Sequence, residues 1–201
     1  MSRYRTRSWR AFDPGAARPP LAPTAGLRIL GLDPGSRRTG YGVIERRGAD
    51  WVYVAHGCVT VAAAEESLPE RLRVIFESLR ELIARHGPGE VAIERVFVNR
   101  NVDSALKLGQ ARGAALCAVP KGLPVFEYAP RAIKLALVGS GAAEKVQVAH
   151  MIRTLLGLQG RIGPDASDAL AVAVCHAHSR RLQELAQQSE RTAMPAAAPP
   201  R

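Results

Sequence analysis

A short apolar stretch that ends on a charge is the feature that most restricts how this chain can fold. Residues 29–44 read ILGLDPGSRRTGYGVI, in which the apolar run Ile29–Leu32 is followed by Asp33, a turn and a second apolar run. The pattern predicts two neighbouring strands joined by a short connection. Because burying an unpaired carboxylate costs free energy, Asp33 needs either a local hydrogen-bonding role in the turn or a cation to face.

Charge and composition narrow the class of partner. The chain has 201 residues, a formal net charge of +10 and a pI near 10.4, so a polyanion such as nucleic acid is the expected partner. Residues 1–26 carry +4 and residues 187–201 carry +1 of this charge, which leaves +5 for residues 27–186. Three widely spaced cysteines without a CxxC pair indicate reduced thiols and a cytoplasmic protein. No apolar run approaches the roughly 20 residues of a membrane span.

The periodicity of apolar residues predicts an α/β domain. Proline-rich residues 1–26 are expected to be a disordered basic extension, residues 27–186 one folded domain, and residues 187–201 a disordered tail. The order of elements, βββαβαβ followed by helices, predicts a mixed five-stranded sheet, antiparallel in its first three strands and parallel after them, with helices on its faces. We predict strands at 27–33, 40–45, 51–61, 91–96 and 123–128, and helices at 68–86, 102–119, 131–137, 142–156 and 165–187.

Further carboxylates lie where such a fold places its ligand crevice. Glu94 falls late in a buried strand, and Asp165 and Asp168 share one face at the start of a helix. Each has an ordinary structural alternative: Glu94 can pair with a nearby arginine, and the two aspartates can cap a helix and interact with its dipole. Glu127 also ends an apolar strand, so one such residue alone is weak evidence of a site.

Several carboxylates that converge would repel each other unless protons or cations neutralise them. Oxygen-only ligands favour Mg²⁺ or Mn²⁺ over Zn²⁺. Two such ions about 4 Å apart can hold the attacking water and the leaving oxygen of a phosphodiester. The four acids therefore predict metal-dependent cleavage of nucleic acid, which agrees with the basic composition.

The sequence resembles the RuvC family of Holliday-junction resolvases from about Arg28 to about His178. The matching stretches are GLDPGSRRTGYGVI, AIERVFVNRNVDSALKLGQARG, LPVFEYAPRAIK, AEKVQV and DASDALAVAV. The second of these, at this distance after the first, is the most specific. The resemblance implies an RNase H-like fold, a homodimer and a Mg²⁺-dependent endonuclease that acts on four-way DNA junctions.

The resemblance also implies roles for particular residues. It gives catalytic and metal-binding roles to Asp33, Glu94, Asp165 and Asp168, with two Mg²⁺ per subunit and Mn²⁺ as the alternative. Some relatives have histidine at the position of Asp165. It implies paired, symmetric nicks with 5′-phosphate and 3′-hydroxyl ends, and a branch-migration motor complex of the RuvA/RuvB type as a partner. The DNA contacts implied are Phe97, Arg100, Arg112, Lys134 and Lys145.

Other functions stay open at this point. Actin-like ATPases and sugar kinases begin with a similar strand–turn–strand, but they need a second copy of the domain. A YqgF-type RNase H-like nuclease shares the opening strand and aspartate. A non-catalytic junction-binding protein would gain nothing from clustered negative charge beside DNA. The sequence CHAH at residues 175–178 suggests a metal site, although its three potential ligands cannot share one helical face.

Overall fold

The structure is a computed structural model that describes residues 26–61, 67–95 and 101–193. Among these residues no helix is long and apolar enough to cross a membrane. The elements are β1 (Arg28–Asp33), β2 (Arg38–Arg47), β3 (Asp50–Thr60), α1 (Leu68–His86), β4 (Glu90–Glu94), α2 (Val102–Cys117), β5 (Val125–Tyr128), α3 (Pro130–Val138), α4 (Lys145–Leu155) and α5 (Pro164–Ala193).

The strands form one mixed sheet in the order β3-β2-β1-β4-β5. Strand β2 is antiparallel to both β1 and β3, whereas β1, β4 and β5 are parallel to one another. This is the architecture that the sequence predicted. The main difference is the length of α5, which continues to Ala193 and makes residues 187–193 of the predicted tail helical.

Alternation along the two central strands separates two apolar cores. Leu30 and Leu32 of β1 pack with α1 and α2 on one face of the sheet, together with Val91 and Ile93 of β4. Ile29 of β1 and Ala92 of β4 pack on the other face, in a core formed with α3, α4 and α5. Side chains at every second position of a strand share a face. Asp33 and Glu94 therefore project to the face that α5 covers.

Small residues let α5 lie very close to the sheet. A Cβ atom at Gly31 would overlap the carbonyl oxygen of Ala169, and one at Gly40 would overlap that of Asp165. At Gly42 a Cβ would lie 2.7 Å from the side chain of Leu170. Real Cβ atoms do not approach other atoms so closely, so larger residues at these positions would push α5 away. The glycines of the GLDPGSRRTGYG stretch thus set the distance between the sheet and the acidic end of α5.

Candidate active site

Asp33 and Glu94 are neighbours because their strands are. Strands β1 and β4 run parallel with Leu32 opposite Ile93, so the next residue of each strand is one of these acids. Both acids are the last residues of their strands. Parallel strands at the centre of an α/β sheet open their carboxyl ends to the ligand crevice. The two carboxyl groups lie close enough together for each to influence the pKa of the other.

Burial and mutual repulsion favour the protonated forms of this pair. Burial raises the pKa of Asp33 to about 8, and the negative charges of Glu94 and Asp168 act in the same direction. Burial is also the largest cause of the raised pKa of Glu94, to which the charge of Asp168 contributes. The positive charge of Lys145 opposes both shifts. The site therefore carries more negative charge than its surroundings neutralise.

Asp168 joins this pair from the first turns of α5. Its carboxylate accepts a 2.6 Å hydrogen bond from the Lys145 ammonium group at the start of α4. That bond is the largest cause of the raised pKa of Lys145. Lys134 of α3 is half-buried, and its positive charge favours the ionised form of Glu94. The structure thus brings three of the four predicted acids together with the two predicted lysines.

Asp165 occupies a separate position at the edge of the site. Its carboxylate lies 2.7 Å from Nε of Arg38, at the start of β2, and 3.8 Å from the Cys58 sulfur on β3. Asp165 is not among the charges that shift the pKa of Asp33 or Glu94. The sequence predicted all four acids as one set, and in this structure the fourth is paired with Arg38.

The donors present suit a hard divalent cation. Every candidate ligand is a carboxylate oxygen, and the raised pKa of Asp33 shows that added positive charge would relieve the repulsion between the acids. In the described part of the chain, no three acidic, histidine or cysteine side chains are close enough to hold one ion together. The carboxylates of Asp165 and Asp168 are paired instead with Arg38 and Lys145. A metal ion that takes these Oδ2 atoms would displace Arg38 and Lys145 from them.

The remaining predicted DNA contacts fall into two groups. Phe97 and Arg100 lie outside the described residues. Arg112 of α2 donates hydrogen bonds to the backbone carbonyl of Glu94, at 3.2 Å, and to the carboxylate of Glu127, at 2.8 Å. Arg112 therefore fixes the end of β4. Its ion pair with Glu127 gives that acid a structural role near the end of β5. Ile93 is opposite Glu127 in the sheet, so this acid projects to the face away from α5.

A buried polar network was not predicted from the sequence. His176 on α5 is 1% exposed, with one ring nitrogen 2.7 Å from the Tyr128 hydroxyl and the other 2.7 Å from Glu90. Arg180 donates a 2.7 Å hydrogen bond to the second oxygen of Glu90. The network ties α5 to β4 and β5. A histidine in the otherwise apolar run ALAVAVCHA was the available signal, because a buried imidazole needs partners for both nitrogens.

The sequence of this chain is similar to those of a known protein family. The family model described as crossover junction endodeoxyribonuclease RuvC matches residues 29–176. The protein of that name from Methylococcus capsulatus is 56% identical over 155 residues, which cover 77% of this chain and 92% of the relative. The protein of that name from Alkalilimnicola ehrlichii is 56% identical over 157 residues, which cover 78% of this chain and 94% of the relative.

Solved structures show the same fold. The structure of T. thermophilus RuvC in complex with a Holliday junction substrate matches with a TM-score of 0.73 and 36% identity, covering 78% of this chain and 96% of that one. The yeast mitochondrial Holliday junction resolvase Ydc2 matches with a TM-score of 0.58 and 12% identity, and the match covers 81% of this chain and 86% of Ydc2. At that identity the second match concerns the fold alone. These likenesses agree with the RNase H-like fold that the sequence implied.

Proposed function

The chain belongs to the RuvC family of crossover junction endodeoxyribonucleases, and from that premise we propose that it resolves four-way DNA junctions by metal-dependent hydrolysis of phosphodiesters. The observation that carries this proposal is the position of Asp33 and Glu94 at the ends of two paired parallel strands, where the charge of Asp168 raises the pKa of both. Such a concentration of negative charge opposes DNA binding unless cations neutralise it. A protein that only bound DNA would gain nothing from it.

We propose Mg²⁺ as the cation, with two ions per subunit and Mn²⁺ as a substitute. Asp33, Glu94 and Asp168 would hold these ions, and Asp165 would join after leaving Arg38. When bound, the ions supply an activated water and stabilise charge on the departing 3′-oxygen. Hydrolysis of this kind leaves a 5′-phosphate and a 3′-hydroxyl.

The cationic residues near the acids hold the DNA backbone. Lys145 is exposed and already orients Asp168, so its ammonium group can contact a phosphate at the same place. Lys134 lies on the neighbouring helix, where its charge reaches Glu94. Phe97 and Arg100 follow β4 directly, which puts them within a few residues of the acids along the chain. Phe97 offers an aromatic surface for a base unstacked at the junction centre.

A homodimer would give the paired, symmetric cuts. Helix α2 has an exposed apolar face, with Val102 66% and Leu106 63% exposed. Gly109 and Gly113 lie on the same helix, and a Cβ at either would meet no atom within 4 Å. Small residues beside exposed apolar ones allow two helices to approach closely. A C₂ dimer through this face would present two equivalent sites to two equivalent strands, and a RuvA/RuvB-type motor complex would be its partner.

The decisive experiment uses a synthetic mobile four-way junction. The wild-type chain with Mg²⁺ should nick two opposing strands of the junction and leave a linear duplex uncut. Asp33→Asn should abolish cutting and still bind the junction, since it removes a metal ligand without removing a cation. Glu127→Gln is the matched control, because that strand-end acid projects to the other face and should be dispensable for cutting. Wild-type cutting by Asp33→Asn would refute the metal site, and absence of junction cutting by the wild type would refute the function.

The DNA contacts have their own measurement. Lys134→Ala should lower the slope of log binding constant against log salt by about 0.9 if its ammonium contacts one phosphate. Phe97→Ala should reduce the rate of cutting more than it reduces the melting temperature. A large fall in melting temperature with unchanged cutting per folded molecule would show that Phe97 is a core residue.

A further inference from the structure

Arg38 holds the one predicted catalytic acid that lies outside the cluster. Its Nε is 2.7 Å from Asp165, whose carboxylate also lies 3.8 Å from the Cys58 sulfur. Half of the Arg38 side chain, 54%, is exposed, against 26% for Asp165. The pair therefore lies at the rim of the site, where DNA would arrive. From the sequence, Arg38 and its neighbour Arg37 are only weak candidates for a phosphate contact.

A metal ion that takes the Oδ2 atom of Asp165 would have to replace the Arg38 guanidinium there. Asp165 now directs its Oδ2 at the guanidinium and Cys58 rather than at Asp33, Glu94 and Asp168. In the portion of the chain described here, no three potential ligands share an ion-sized space. Since exposed ion pairs contribute little net stability, two stronger partners can replace this one.

We propose that Arg38 is a phosphate-binding residue that Asp165 keeps engaged until a divalent cation takes that carboxylate. The inference rests on the proposed function and deepens it. When the cation binds Asp165, the Arg38 guanidinium is free to contact a phosphate of the junction in bidentate geometry. Metal binding and junction binding then strengthen each other, and by linkage each changes the affinity of the other by the same factor.

The test is the salt dependence of junction binding, measured with Ca²⁺ or with a chelator so that no cutting intervenes. A fluorescently labelled four-way junction is titrated with protein at several salt concentrations. Arg38→Gln should lower the slope of log binding constant against log salt by about 0.9 with Ca²⁺ and leave it unchanged without it. Comparing variants at equal Ca²⁺ cancels the competition of Ca²⁺ itself for the DNA.

The neighbouring Arg37 provides a matched control. It is exposed and makes no side-chain hydrogen bond or ion pair with the part of the chain that the structure describes. The effect of Arg37→Gln on the salt slope should therefore be the same with Ca²⁺ as without it. That effect is zero if Arg37 does not contact a phosphate. A Ca²⁺-dependent effect at both arginines would overturn the proposal, because it would have nothing to do with Asp165.

Two further measurements separate the exchange from simple DNA contact. Asp165→Asn should free Arg38 and raise the slope by about 0.9 in the absence of Ca²⁺. Calorimetry without DNA should show Ca²⁺ binding about two- to fivefold tighter to Arg38→Gln than to wild type, the gain expected from losing an exposed ion pair. An equal loss of slope by Arg38→Gln with and without Ca²⁺, or no loss in either, would overturn the exchange. The proposed nuclease fails separately, if the wild type does not cut the junction with Mg²⁺.

Discussion

Asp33→Asn should make the metal-free protein more stable while it destroys the activity. Burial and repulsion from Glu94 and Asp168 raise the pKa of Asp33 from 3.8 to about 8. Between these pH values the folded chain holds a proton that the unfolded chain has lost. The free energy of unfolding of the wild type therefore falls as the pH rises through this window. The asparagine variant has no carboxyl group to ionise and so avoids this loss of stability.

The size of the effect follows from the same shift. Each pH unit within the window costs about 1.4 kcal/mol. From pH 3.8 to pH 7 the upper limit is thus about 4 kcal/mol for Asp33. Because Lys145 and solvent screen the charge, we expect Asp33→Asn to gain about 1–3 kcal/mol at pH 7. The gain should be larger at pH 8 and should vanish near pH 4.

Urea unfolding in EDTA at pH 5 and pH 8 measures this difference directly. Adding Mg²⁺ should then stabilise the wild type more than the variant, since the ion binds only the folded site. Glu127→Gln is the control: its carboxylate pairs with Arg112 and Arg95, so its loss should not stabilise the protein or alter the response to Mg²⁺. Equal unfolding free energies of wild type and Asp33→Asn at pH 8 in EDTA would contradict the repulsion argument.

Three further perturbations probe other parts of the molecule. Gly40→Ala should destabilise the fold by about 1–3 kcal/mol and slow cutting, because its Cβ would overlap the Asp165 carbonyl. Gly163→Ala is the control and should have neither effect, since its Cβ would meet no atom within 4 Å. Urea unfolding measures the stability of both variants, and a nicking assay measures their cutting. Burial lowers the pKa of His176 from its ordinary 6.5. The stability advantage of the wild type over His176→Gln should therefore shrink as the pH falls below 6.5. A difference in unfolding free energy that stays constant with pH would contradict this account. Leu106→Glu should give a monomer in sedimentation and unpaired nicks, and a dimeric variant would place the interface elsewhere.

The order and type of the elements were predictable from local pattern. Short apolar runs predicted the five strands, and the amphipathic run from Leu68 to His86 predicted α1 with its bounds as observed. The end of α5 was not predicted, because residues 187–193 have no apolar periodicity to mark them as helix. The glycines at 31, 40 and 42 were visible in the sequence, but their role depends on which helix crosses them, and the local pattern does not contain that information.

The sequence by itself determined the chemistry: carboxylates at the ends of two buried strands, two more at a helix start, and an excess of positive charge elsewhere. Only the tertiary structure decided which acids act together. The parallel register of β1 and β4 sets Glu94 beside Asp33, whereas the same alternation sends Glu127 to the opposite face, to Arg112. The distance of α5 from the sheet leaves Asp165 within reach of Arg38. Charges act through space over a few ångströms, and residues far apart in sequence reach those distances only through packing.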